Sequence, residues 1–219
     1  NLVSVKFGEK ITSIGLCAFG YCEGLTGTLE LPETVTDLNS DAFYDTNYTK
    51  FKVLDGLTPN SIISQVRYSN MELEVDENSE KYKMVDNILF SKDGKILYYA
   101  GKGDFTDYVV PDGVIQIWDS AFSEVKSMNG KLTLNEGLQQ IGSRAFYSYS
   151  CDGFSGDLII PDSVILIGNY AFYNSDNFTS IRIGSGVTSL ESNVFCNVPD
   201  DIFIKMCRDI LDNGTSTEG

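Results

Sequence analysis

The chain has 219 residues, 42% hydrophobic and 21% charged, the balance of a globular protein and not of a disordered one. Its 31 Asp and Glu against 16 Lys and Arg leave a net charge of −15, which disfavours phosphate backbones and anionic lipid surfaces as partners. No histidine is present, so Ser-His-Asp and Cys-His catalysis, imidazole zinc sites and the usual proton shuttle near neutral pH are excluded.

From the N-terminus, no basic region followed by an apolar stretch is found, so no signal peptide is read there. No apolar run reaches the roughly 20 residues of a membrane span. Asn rather than Met at position 1 points to a processed chain, so this start says little about export of the full protein.

A repeat then dominates. Ala-Phe recurs at Ala18-Phe19, Ala42-Phe43, Ala121-Phe122, Ala145-Phe146 and Ala171-Phe172, with Val194-Phe195 as a degenerate sixth copy. Five residues before each Phe stand Ile14, Leu38, Ile117, Ile141, Ile167 and Leu190. Three earlier are Ile11, Val35, Val114, Leu138, Val164 and Val187, and three earlier again is a turn former, Gly8, Pro32, Pro111, Asn135, Pro161 or Gly184. Apolar pairs precede it, such as Leu29 with Leu31 and Leu158 with Ile160. Adjacent copies are 24 residues apart from Phe19 to Phe43 and from Phe122 to Phe146, 26 to Phe172 and 23 to Phe195. A period in the low twenties is that of a leucine-rich-repeat solenoid. Leu29-Glu30-Leu31 has the period-2 pattern of a short strand. Pro or Gly stops it, a tight second segment points at the core, and Ala-Phe lets the rings of successive coils stack. One coil cannot bury its own apolar stripe, so the coils must pile on one another.

The stretch 44–107 interrupts this register. Phe51-Lys52-Val53 and Met71-Glu72-Leu73-Glu74-Val75 are expected strands. Asp93-Gly94, between the apolar runs 84–90 and 96–99, predicts a β-hairpin, because Gly accepts the positive φ of the turn. Beyond Phe195, residues 202–204 are an expected final strand, 205–211 have helix-like spacing suited to a cap, and 213–219 are a polar, flexible tail. The expected organisation is a single solenoid over 1–204 with an irregular insertion at about 44–107, followed by cap and tail over 205–219; a loop-rich boundary between two short solenoid blocks is the alternative reading of the insertion. In fold class this is a β-rich, right-handed leucine-rich-repeat superhelix with an inserted hairpin. Cys17, Cys22, Cys151, Cys196 and Cys207 are scattered and read as small buried hydrophobes, with a Cys17–Cys22 bridge left open.

The unit apolar-x-apolar-Pro-Asp-Ser-Val-x-x-Ile-Gly-x-x-Ala-Phe, best seen from Ile160 to Phe172 and from Val110 to Phe122, resembles the BspA-like (Treponema-type) leucine-rich repeat. The likeness covers residues 3–204. That family's pattern often carries Cys three residues after the Phe; only Cys22 satisfies it, the other slots holding Thr46, Val125, Tyr149, Ser175 and Val198. The resemblance implies a bacterial surface-exposed or secreted protein concerned with adhesion and binding to a macromolecular partner, a host or matrix protein or a glycan. A structural spacer or recognition arm of a larger exported protein is the rival reading.

No residue is assigned to catalysis, a cofactor or a metal. Gly101-Lys102-Gly103 lacks the rest of a dinucleotide fingerprint. Asp76-Glu77-Asn78 and Asp200-Asp201 lack EF-hand spacing. Glu33, Asp112, Glu136 and Asp162 fill one repeat slot in a turn. An enzyme would have to use carboxylates such as Glu72, Glu74 and Asp76, which alternate with apolar residues as the solvated side of a strand does. The candidate partner-binding face is the ladder of side chains between the two inward strand positions: Lys6, Glu30, Val109, Thr133, Ile159 and Arg182. An ordinary solvated sheet face is the alternative. Tyr44, Tyr147 and Tyr173, one residue after the Phe, make a second partial ladder suited either to binding or to packing between coils.

Overall fold

The computed structural model describes residues 2–198 apart from 68, 70, 124, 126 and 150–152. The expected strand at 202–204, the cap and tail at 205–219, and Cys151 and Cys207 lie outside the described residues. The chain divides into two compact units, Asn1–Asn87 and Ile88–Gly219. Both are built of stacked β-coils, and the fold is a β-rich solenoid with little helix.

The first unit runs β1 (Ser13–Ile14), β2 (Thr26–Leu29), β3 (Asp37–Leu38), β4 (Asn47–Val53), α1 (Pro59–Arg67), β5 (Glu72–Val75) and β6 (Tyr82–Val85). Here β1 pairs with β3, and β4 lies between β2 and β5, all in parallel. The second unit runs β7 (Ile88–Ser91), β8 (Ile96–Tyr99), β9 (Asp104–Val109), β10 (Gln116–Ile117), β11 (Ser127–Thr133), β12 (Gln140–Ile141), β13 (Gly156–Ile159), β14 (Leu166–Ile167), β15 (Phe178–Arg182) and β16 (Ser189–Leu190). Its short strands follow the order β16-β14-β12-β10-β8-β7, while β9 pairs with β11 and β13 with β15. The β7–β8 hairpin is antiparallel, turning through Gly94 at φ 78° as Asp93-Gly94 predicts.

Each coil therefore carries two ladders where one was expected. The longer strands lie earlier than the apolar-x-apolar pairs suggest: β2 ends at Leu29, and Val5–Phe7 of the first copy is in no strand. Pairing still reaches one residue past β9 and β13, since the Val110 and Ile160 amides donate to the Thr133 and Arg182 carbonyls at 2.9 and 2.8 Å. Proline then fixes the turn: Val35 donates to the Pro32 carbonyl, Val114 to Pro111 and Val164 to Pro161. What looked like a tight second segment is the two-residue strand, whose second residue points inward in β10, β12 and β14 while the first points outward. Inward residues pair Leu97↔Ile117↔Ile141↔Ile167, and all four are fully buried.

The Ala-Phe corner closes the coil with a third set of bonds between neighbours. The amides of Phe122, Phe146 and Phe172 donate to the carbonyls of Ala145, Ala171 and Val194 at 2.8, 2.8 and 2.9 Å. Backbones approach this closely because the residue before the Phe is small and buried. The rings stack as expected: Phe19 on Phe43 at 5.1 Å, and Phe122, Phe146, Phe172 and Phe195 in one column at 4.9, 5.2 and 5.5 Å.

Helix α1 was not expected. Thr58 accepts the Ser61 amide as its N-cap (3.2 Å), Pro59 occupies the first turn, and Ile62, Ile63 and Val66 bury one face. Gln65 fastens it to the first unit by donating to the Asn39 carbonyl at 2.6 Å. The apolar run 84–90 is also broken, because Asp86 and Asn87 both take positive φ.

Asp55 ties the same unit across coils. Its carboxylate accepts the Ser79 hydroxyl and, at 2.7 Å, the Glu80 amide. Partial burial pushes its pKa up, but the bonds from Ser79, Glu80 and Lys81 together with the Lys81 charge outweigh this and hold it below the ordinary value. A lowered folded-state pKa gives stability that is present above the unfolded pKa and lost as pH falls through the folded one. Asp55→Asn is therefore expected to lower the midpoint of thermal unfolding at neutral pH, and the gap to the unaltered chain should close on acidification below the ordinary Asp range of about 3.9. A gap that stays constant with pH would contradict this.

Candidate functional site

The six candidate residues fall into three situations. Val109 and Thr133 are register partners at the ends of β9 and β11, and Ile159 and Arg182 are register partners at the ends of β13 and β15. Glu30 is exposed just beyond β2, and Lys6 is exposed outside any strand. The second unit thus holds two in-register pairs, and the first holds no strand position for its two candidates. Val109 is 62% and Ile159 47% exposed, unusual for β-branched side chains with a core available.

Sequence reading missed the residues that continue the first unit's face. Lys50 pairs with Glu72 and Lys52 with Glu74 along β4 and β5, and the Lys50 ammonium lies 3.6 Å from the Glu74 carboxylate. Phe51-Lys52-Val53 alternates polar with apolar, which was the available signal; the lost Ala-Phe register hid it. That face is charged, whereas Val109 and Ile159 make the second unit's face partly apolar.

Two carboxylates outside this face, Asp162 and Asp76, hold the backbone of turns. Asp162 accepts the Ser185 amide of the next coil at 2.7 Å; that bond and the Ser185 hydroxyl hold its pKa below the ordinary value. Asp76 accepts the Asn78 amide and side chain, which lower its pKa in the same way. Glu72 and Glu74 are exposed as expected. Carboxyls held in the ionised form are poor proton donors at neutral pH. Among the described residues no group of three or more Cys, Asp or Glu converges as a metal cage. No helix of the described residues is long and apolar enough to cross a membrane.

Cys17, Cys22 and Cys196 are free thiols, so the Cys17–Cys22 bridge does not form. Cys17 is exposed at φ 50°, contrary to the buried reading, because the residue two before the Phe sits on the outer corner of the coil. Ser120, Arg144, Tyr170 and Asn193 occupy the same corner with φ of 56–57°. Tyr147 stacks on Tyr173 at 4.7 Å, so this tyrosine ladder packs between coils.

The family description "BspA type Leucine rich repeat region" matches residues 1–98 and 94–210, with six copies. The chain belongs to the BspA-type leucine-rich-repeat family. Among solved structures, it is similar to the pneumococcal vaccine antigen PcpA (21% identity, TM-score 0.61, 88% of this chain and 53% of that one). It is also similar to a leucine-rich repeat protein from Eubacterium ventriosum (20%, 0.58, 84% and 60%) and to a leucine rich cell surface protein from Faecalibacterium prausnitzii (20%, 0.54, 90% and 60%). The chain thus spans a little over half the length of each of these structures. No curated protein sequence matches it.

Proposed function

We propose that this chain is a non-enzymatic binding module on the surface of, or secreted by, a bacterium, engaging a macromolecular partner through its repeat faces. The observation that carries this reading is the pair of exposed apolar residues, Val109 and Ile159, held in register with Thr133 and Arg182 on a hydrogen-bonded framework. Preorganised strands lose little entropy on binding, and extended repeat surfaces suit large ligands. Family membership and the vaccine antigen and cell surface protein among its structural neighbours support an extracellular setting. The net charge of −15 argues against nucleic acid.

The test is a binding screen of the chain against extracellular-matrix proteins and glycans, repeated with Val109→Asp and Ile159→Asp. A partner is expected, with affinity falling about tenfold or more for each variant, a loss of roughly 1.4 kcal/mol, and no change in thermal stability. If the screen finds no partner above background, the spacer reading takes its place.

A further inference from the structure

The outward side of the short-strand ladder in the second unit carries one charge, Lys95 at its β8 end, whose ammonium lies 3.7 Å from the Asp93 carboxylate. Register aligns Ile96, Gln116, Gln140, Leu166 and Ser189 across five strands, and the residues just before them in the last four are Ile115, Gln139, Ile165 and Thr188. At about 4.8 Å per strand this face extends roughly 20 Å. Its contrast with a chain of net charge −15, and with the Lys- and Glu-bearing β4–β5 face, is plain. Gln139, Gln140 and Ile165 are exposed, and Gln116 and Leu166 half-buried. Trp118, the only tryptophan of the chain, stands two residues beyond Gln116 with its ring edge-on to Tyr98 at 5.4 Å. The side-chain amides of Gln116, Gln139 and Gln140 make no hydrogen bond with other described residues.

We infer that this face binds a neutral polysaccharide laid across the coils, a second site, separate from the Val109 and Ile159 face, that goes beyond the binding-module reading. Each Gln amide both donates and accepts, and covering it without replacing its bonds to water is costly. A hydrocarbon surface would strand these amides. A charged polymer would find only Lys95 there, already paired with Asp93, and a polyanion would be repelled by the chain as a whole. Sugar hydroxyls donate and accept in the same way, their C–H faces suit Ile165, Leu166 and the Trp118 ring, and a repeating chain matches a surface that repeats in register.

The test is affinity electrophoresis of the whole chain through gels containing a soluble β-glucan, a mannan, a galactomannan or, as the charged comparator, alginate. Retardation by at least one neutral polymer and not by alginate is expected, little changed by salt. Gln140→Glu and Ile165→Asp, both at exposed positions, should each weaken it tenfold or more with unchanged circular dichroism. Absence of retardation by every neutral polymer overturns the inference, as does retardation that survives both face variants. If matrix proteins bind through Val109 and Ile159 while no neutral polymer does, this assignment fails and the binding-module reading stands. If nothing binds at all, both fail.

Discussion

Phe146→Ala is expected to destabilise the second unit by about 3–5 kcal/mol, the usual cost of emptying a buried Phe site. Phe146 is 2% exposed, stacked on Phe122 at 4.9 Å and on Phe172 at 5.2 Å, with Phe154 edge-on at 6.2 Å. Removing its ring leaves a void and takes a partner from both neighbours, and aromatic pairs contribute about 0.5–1.5 kcal/mol beyond burial. Coils are coupled mainly to the next coil, so the loss falls on two interfaces at once. Phe195, half-buried and stacked on Phe172 alone among the described rings, should cost clearly less when truncated. At this chain length each kcal/mol lowers the melting temperature by about 2–4 °C, so thermal unfolding of the two variants resolves the difference. Equal shifts would show that the column is not the source of the coupling.

Gly168→Ala is expected to be nearly as damaging for the addition of a single methyl group. A Cβ at Gly168 would lie 2.5 Å from the Ser143 nitrogen and 2.8 Å from the Gly142 carbonyl carbon and Ser143 Cα, all backbone of the preceding coil. The Gly168 amide also donates to the Ile141 carbonyl at 2.8 Å, so separating the coils to make room strains a ladder bond. Overpacking of this kind costs about 1–3 kcal/mol, and more where the obstacle is backbone. Gly15 fills the same repeat slot, after Ile14 as Gly168 follows Ile167, yet a Cβ there meets nothing within 4 Å. Gly15→Ala should be close to neutral. Denaturant midpoints of the two variants make the comparison, and a harmless Gly168→Ala would refute the contact.

The repeat was legible because the inward positions obey one rule. Ile117, Ile141 and Ile167 recur at one offset from Phe122, Phe146 and Phe172, and burial in a stacked coil demands that recurrence. The β7–β8 turn was legible because Asp-Gly is a local signal. Helix α1 escaped notice because its Thr58 cap and its Ile62, Ile63 and Val66 stripe belong to a helix of only 9 residues inside a segment already read as irregular. The short strands escaped because two residues carry no periodicity of their own; β12 exists only because the Gln139 and Gln140 amides find the Ile115 carbonyl of the coil before. The candidate face was half legible. Outward alternation named Val109 and Ile159, but their register with Thr133 and Arg182, the Lys52–Glu74 pairing and the short-strand face all depend on which strand lies beside which. By itself the sequence determined the repeat, its family, the Phe column and the side of each strand that is buried, since these follow from side-chain type and spacing. Only the tertiary structure decided that Gly168 is crowded and Gly15 is not, and that Cys17 is exposed, because those facts belong to the neighbouring coil's backbone and to the corner it leaves open.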